Sequence, residues 1–197
     1  MLIAFEGLDQ SGKETQARQL RARLQNEGRV VRAASFPDYD TPIGREIRLA
    51  LAGERDFGPE VMQLLYVANR FEYKLRLESW LAAGDTVVCD RYRASSIAYG
   101  EAMGLDPSWL DAIQQHLPRA SVTVFLDISP ATAVQRKETG RDRFERDLGL
   151  LARVRESYRR QAAASDWVVI DAEQSKEDVR AAVEQALAQV LARPSVP

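Results

Sequence analysis

The sequence predicts an α/β fold: one five-stranded parallel sheet flanked by helices. Two observations carry this. Short apolar runs alternate with longer helical patterns along the whole chain, the order that builds a parallel sheet with helices on both faces. The first run, Leu2-Ile3-Ala4-Phe5, carries no charge and passes through a glycine-bounded loop straight into a helix, as a strand buried on both faces does. At 197 residues the chain is expected to form a single domain, able to bury about 70% of its unfolded surface without staples.

In order, a helix is expected over Gln16 to Gln25, stopped by Asn26-Glu27-Gly28, and a second strand over Arg29 to Ala34. The loop Ser35–Asp40 leads to Thr41-Pro42, an N-cap followed by proline at the first helical place, and Gly53 ends that helix. Pro59 opens what reads as one long helix to about Ala83, with Val61, Leu64, Leu65, Ala68, Phe71 and Leu75 on one apolar stripe. After Gly84 comes a third strand, Thr86 to Cys89, then helices around Ala94–Met103 and Pro107–His116. Ser121–Leu126 is the fourth strand, Pro130–Lys137 a helix, and a further helix runs to about Ala164. Trp167–Ile170 is the fifth strand, and Ser175 to Leu191 a closing helix. His116, at a helix end, reads as a cap, Cys89 as a buried strand residue, and the tryptophans as packing. Arg193–Pro197 reads as a loose tail.

A net charge of −2 with 28% charged residues offers no basic field for nucleic acid. One cysteine excludes an internal disulfide framework and suits a reducing compartment. No signal peptide precedes the first strand, and no apolar run approaches the ~20 residues of a membrane span. The expectation is a soluble cytoplasmic protein with neither membrane nor nucleic acid as partner.

The chemistry begins at Gly7-Leu8-Asp9-Gln10-Ser11-Gly12-Lys13, which has the G-x-x-x-x-G-K spacing of a phosphate-binding loop between a strand and a helix. Backbone N–H groups would point into the loop, the helix dipole adds about half a positive charge, and Lys13 adds a full one. The next position normally carries a Ser or Thr whose hydroxyl ligates Mg²⁺. Here it is Glu14, with Thr15 about 100° further round the helix. Glu14 reads either as a carboxylate ligand for Mg²⁺ or as a first-turn acid favoured by the dipole. Asp90, just past the third strand, stands where such folds keep a second acid for the metal. Tyr66 and Arg70, at i and i+4, share a helix face with Met62.

The run Asp90-Arg91-Tyr92-Arg93-Ala94-Ser95-Ser96-Ile97-Ala98-Tyr99 resembles the signature of thymidylate kinases, D-R-Y-x-x-S-x-x-A-Y. Phe5–Lys13 is similar to that family's phosphate loop. Phe36-Pro37, Ala68-Asn69-Arg70, Asp142–Glu145 and Asp171-Ala172 follow in register, so the resemblance spans nearly the whole chain. It implies an Mg·ATP-dependent dTMP kinase, a homodimer in the family. Gly7 to Thr15 would take the ATP phosphates, and Arg136 would pack on adenine. Asp9 would approach the acceptor's 3′-hydroxyl, and Arg91 would lie between the two phosphate groups. Tyr66 would stack on thymine and Arg70 hydrogen-bond it. Phe36, Pro37, Tyr39, Ser95 and Ser96 would complete the acceptor site, and Tyr99 would crowd C2′ against ribonucleotides. The segment 136–146 resembles a lid, with Arg143 in the place of a catalytic arginine. Glu14 and Asp90 would face the metal. Asp38, where many relatives carry an arginine, and Gly100, which replaces a polar residue, depart from the pattern. Rival readings are a kinase for another monophosphate, a nucleotide switch, and a pseudo-kinase suggested by Glu14.

Overall fold

The computed structural model describes residues 1–136 and 147–191. Its five strands are β1 (Leu2–Gly7), β2 (Val31–Ser35), β3 (Thr86–Asp90), β4 (Val122–Asp127) and β5 (Val168–Asp171). They form one sheet in the order β2-β3-β1-β4-β5, and every neighbouring pair is parallel. All six residues of β1 are buried, as its central place requires. The chain leaves β1 for one side of the sheet, returns through β3, then crosses to β4 on the other side. Such a reversal opens a crevice at the carboxyl ends of the strands. Register brings the same edge together: Phe5 pairs with Asp90, Ser35 with Asp90, and Gly7 with Leu126.

Nine helices are described: α1 (Lys13–Asn26), α2 (Pro42–Leu51), α3 (Pro59–Phe71), α4 (Lys74–Ala82), α5 (Arg93–Ala102), α6 (Pro107–Ala112), α7 (Pro130–Gln135), α8 (Leu148–Ala163) and α9 (Lys176–Leu191). Alternate β1 side chains enter different cores. Ile3 and Phe5 join Leu20 and Leu24 of α1, while Leu2 and Ala4 join Leu77, Val87 and Tyr92. Side chains cap several starts: Thr41 accepts from the Gly44 amide, Ser129 from Thr132 and Asp147 from Leu150.

Three expectations are corrected. The long helix from Pro59 is two, broken between Phe71 and Lys74. Its apolar stripe is not the buried face: Val61, Leu64 and Leu75 are exposed, whereas Met62, Gln63, Val67, Asn69 and Arg70 are buried. The helix from Pro107 stops at Ala112 with Ile113 at its C-cap, so His116 is an exposed turn residue beyond the cap. Cys89 is fully buried, as expected.

Candidate active site

The loop between β1 and α1 is shaped by positive backbone angles. Gly7 has φ 144°, and a Cβ there would lie 2.5 Å from the Leu126 carbonyl oxygen, so only glycine fits. Gly12, at φ 94°, starts α1. Inside the loop the Lys13 ammonium donates to the Leu8 carbonyl at 2.6 Å. Burial pushes Lys13 down to about 8, with Arg91 adding to the effect. The Ser11 hydroxyl is buried with no partner among the described residues, a loose end of the kind a ligand phosphate satisfies. A cleft of about 560 Å³ opens over this loop, lined by Asp9 to Gln16, Asp90, Arg91 and Arg136. Its far wall is Ala172, Gln174, Ser175, Lys176 and Val179, most of which sequence reasoning missed because they follow the last strand without a motif. Arg136 bridges the two walls, donating to the carbonyls of Gln10 at 3.3 Å and Ala172 at 2.9 Å.

At the loop's base stands Arg91, in the left-handed region at φ 61°. Its amide donates to the Phe5 carbonyl at 2.9 Å. Its guanidinium donates to the Gly7 carbonyl and the Ser95 hydroxyl, each at 3.2 Å, and to the Asp9 carboxylate at 2.7 Å. The Tyr99 hydroxyl donates to the other Asp9 oxygen at 3.2 Å. Burial disfavours the Asp9 charge, but Arg91 and Lys13 outweigh it and hold the carboxyl well below the usual range.

Beneath this cluster lies Glu6, fully buried, which the sequence did not flag. Its carboxylate accepts from the amides of Tyr92 (2.9 Å) and Ser95 (3.3 Å), and from the hydroxyls of Ser95 (2.6 Å) and Tyr158 (3.1 Å). A negative charge on the open amides at the start of α5 complements the helix dipole and fixes the turn that aims Arg91. The available signal was an acid at the end of a buried strand, one residue before the loop glycine.

A second pocket, about 110 Å³, lies between α3 and α5 and shares Asp9 and Arg91 with the first. It gathers Phe36, Pro37, Tyr39, Tyr66, Arg70, Ser95, Ser96 and Tyr99, together with Leu51, Gln63 and Met103, which sequence reasoning did not single out. Arg70 is 2% exposed. Its Nη1 donates to the Ser96 hydroxyl at 2.7 Å and the Tyr66 carbonyl at 3.3 Å, while its Nε has no partner among the described residues. Asp38 is not part of this lining. Tyr73 donates its hydroxyl to the Asp38 carboxylate, and Asn69 accepts from the Asp38 amide at 2.8 Å.

Two carboxylates face the gap between cleft and sheet edge. Asp90 Oδ1 is buried without a partner among the described residues, and Glu14 is exposed on the first turn of α1. Among the described residues no three potential ligands cluster tightly enough to cage a cation alone. One or two carboxylates beside a phosphate cleft suit Mg²⁺, which keeps waters and arrives with substrate phosphates. Arg143 and the rest of 137–146 lie outside the described residues, as does the Arg193–Pro197 tail.

Two clefts meeting end to end at one arginine suit a reaction between two phosphorylated ligands. On this sheet order they define a P-loop kinase of the nucleoside monophosphate type. Known proteins narrow the class. The thymidylate kinase family profile matches residues 5–183. The Arabidopsis thaliana thymidylate kinase is 34% identical over 94% of this chain and 70% of its own length. That of Plasmodium falciparum is 35% identical over 90% and 84%, and a probable thymidylate kinase of Pyrobaculum calidifontis 37% over 95% and 98%. The solved thymidylate kinase of Candida albicans, described as broad in substrate specificity, superposes with a TM-score of 0.82 at 26% identity, covering 96% of this chain and 92% of that one. The chain belongs to the thymidylate kinase family.

Proposed function

We propose that this chain phosphorylates dTMP with ATP, giving dTDP and ADP, and that the residues above divide the work. The observation that carries this is the Asp9–Arg91 pair as a wall common to both pockets. The loop amides and Lys13 hold the ATP phosphates, with Arg136 over the adenine end. Tyr66, Arg70, Phe36, Pro37, Tyr39, Ser95 and Ser96 hold the acceptor, and Tyr99 stands against a 2′-hydroxyl. An oxygen of the dTMP phosphate attacks the γ-phosphorus in line, and the bond from that phosphorus to the β-bridging oxygen breaks, releasing ADP. Positioned cations matter here more than a base. Arg91 spreads its charge across both phosphates, and the buried Glu6 network keeps it aimed. Arg143, in a lid at about 136–146, supplies a second arginine. Glu14 and Asp90 would hold Mg²⁺, which when bound neutralises charge on the β- and γ-phosphates.

The chain acts as a single domain over 1–197 and as a homodimer. The exposed apolar pair Val61 and Leu64, at i and i+3 on α3, supports self-association, since apolar surface gains by being covered. No helix among the described residues is long and apolar enough to cross a membrane. A cytoplasmic location fits the lone reduced cysteine. Coupled ADP release with Mg²⁺ and dTMP, dUMP, UMP, AMP or CMP tests the assignment. We expect strong dTMP-dependent turnover; preference for another acceptor, or none, refutes it.

A further inference from the structure

We propose that Gln63 reads the pyrimidine ring of the acceptor, its amide oxygen accepting the ring N3–H and its amide N–H donating to a neighbouring ring carbonyl. The inference deepens the dTMP kinase reading and rests on it. Gln63 is fully buried and lines the acceptor pocket, yet neither Oε1 nor Nε2 has a hydrogen-bond partner among the described residues. A buried amide with both ends unpaired is a standing penalty that proteins rarely keep without use.

Position explains what the amide can meet. Gln63 and Arg70 are seven residues apart on α3, about 20° apart round the helix and about 10.5 Å along it. Side chains on a helix lean toward its N-terminus, and Arg70 does so, its Nη1 reaching the Tyr66 carbonyl. Gln63 lines the same pocket as Tyr66 and Arg70, one turn further toward the start of the helix than Tyr66. The Gln63 side chain is also held in its course. A Cβ on Gly100 would lie 3.2 Å from Gln63 Cγ and 2.6 Å from a Leu110 methyl, so α5 packs flush against it.

Chemistry then selects the ligand edge. A pyrimidine-2,4-dione presents carbonyl, N–H, carbonyl. Arg70 can only donate, so it matches a ring carbonyl and cannot take the N–H. Gln63 Oε1 is an unengaged acceptor in the same lining, and Nε2 can serve the next carbonyl. A 4-aminopyrimidine would set its amino hydrogens against Arg70, and flipping the Gln63 amide would not relieve that conflict.

The test compares the wild-type chain with Gln63→Met, similar in length and apolar, using dTMP and its N3-methyl derivative. In the wild type, N3-methylation should raise KM at least tenfold. In Q63M, KM for dTMP should rise at least tenfold with kcat within threefold, and the gap between the two acceptors should close to within threefold. Without ligand, Q63M should melt at or above the wild-type temperature, because an unpaired amide has been removed, while its dTMP-induced shift shrinks. An unmoved KM, or a raised KM with the gap intact, overturns the proposal. So does a Q63M chain that loses its cooperative melt, for the amide would then be making protein contacts. A wild-type chain with no dTMP-dependent turnover would instead sink the kinase reading itself.

Discussion

Arg91 donates to Asp9 at 2.7 Å, and this one ion pair is part of the lining of both pockets. Two polyanions cannot approach end to end unless positive charge stands between them, and that charge must hold still before they arrive. Carbonyl and hydroxyl partners from Gly7 and Ser95 hold the guanidinium from one side, and Tyr99 steadies Asp9 from the other. The arginine is thus preorganised, and its anchor is a carboxylate still 38% exposed, open to exchange for ligand contacts.

Acid should reveal this pair. The Asp9 carboxyl titrates lower in the folded chain than its unfolded value of about 3.9, so near that pH the folded state binds fewer protons. Its stabilising contribution is fully present above about 4 and is lost as pH falls through the lower, folded value. The melting-temperature difference between wild type and Asp9→Asn should narrow steadily below pH 4. Solvent screening keeps the difference small. A constant difference down to the onset of acid unfolding would show that Arg91 does not hold the carboxylate charged.

Much of this site could be read from the chain because it is written locally. The loop spacing, the acid ending β3 and the i, i+4 pair Tyr66–Arg70 each need only a few consecutive residues. What could not be read depends on partners distant in sequence. No proline or glycine marks the break at Glu72-Tyr73. Periodicity showed that α3 has an apolar side without saying which side meets the core, and the core took Gln63, Asn69 and Arg70 instead. Glu6 is legible only once Ser95 and Tyr158, from α5 and α8, are placed around it.

Metal dependence separates the two carboxylates. Asp90 Oδ1 is buried and unpaired among the described residues, so Asp90→Asn should raise the Mg²⁺ concentration for half-maximal activity by roughly tenfold or more. Glu14→Ala should raise it less, because Glu14 is exposed. A Mg²⁺ titration of turnover at saturating ATP decides. An unshifted Glu14→Ala curve would leave that residue as a first-turn acid only.

The exposed apolar pair Val61 and Leu64 on α3 predicts the assembly. Leu64 is 46% exposed. Leu64→Arg places a charge that a covered surface cannot solvate. Sedimentation should show a dimer for the wild type and a monomer for this variant, with each chain still folded. A wild type that is monomeric at micromolar concentration would leave Val61 and Leu64 as ordinary exposed residues.

Arg143→Ala should lower turnover at least a hundredfold, since an arginine at the transferring phosphoryl is worth about 10³–10⁵ in rate. Binding of dTMP, followed by its thermal shift, should stay within twofold. Near-normal turnover would mean that Arg143 does not act on the transferring phosphoryl.

Gly100→Ala sets two effects against each other. Alanine in a helix gains up to about 1 kcal/mol over glycine. Yet the new Cβ would lie 2.6 Å and 2.8 Å from the two Leu110 methyls and 3.2 Å from Gln63 Cγ. Overpacking of this kind costs about 1–3 kcal/mol, and Leu110 is fully buried, so it cannot swing into water. The clash should win, leaving a net loss of up to about 2 kcal/mol in chemical denaturation. KM for dTMP should rise as Gln63 is displaced, with kcat moving less. A variant as stable as wild type with an unchanged KM would mean that Leu110 repacks freely and that α5 does not hold Gln63 in place.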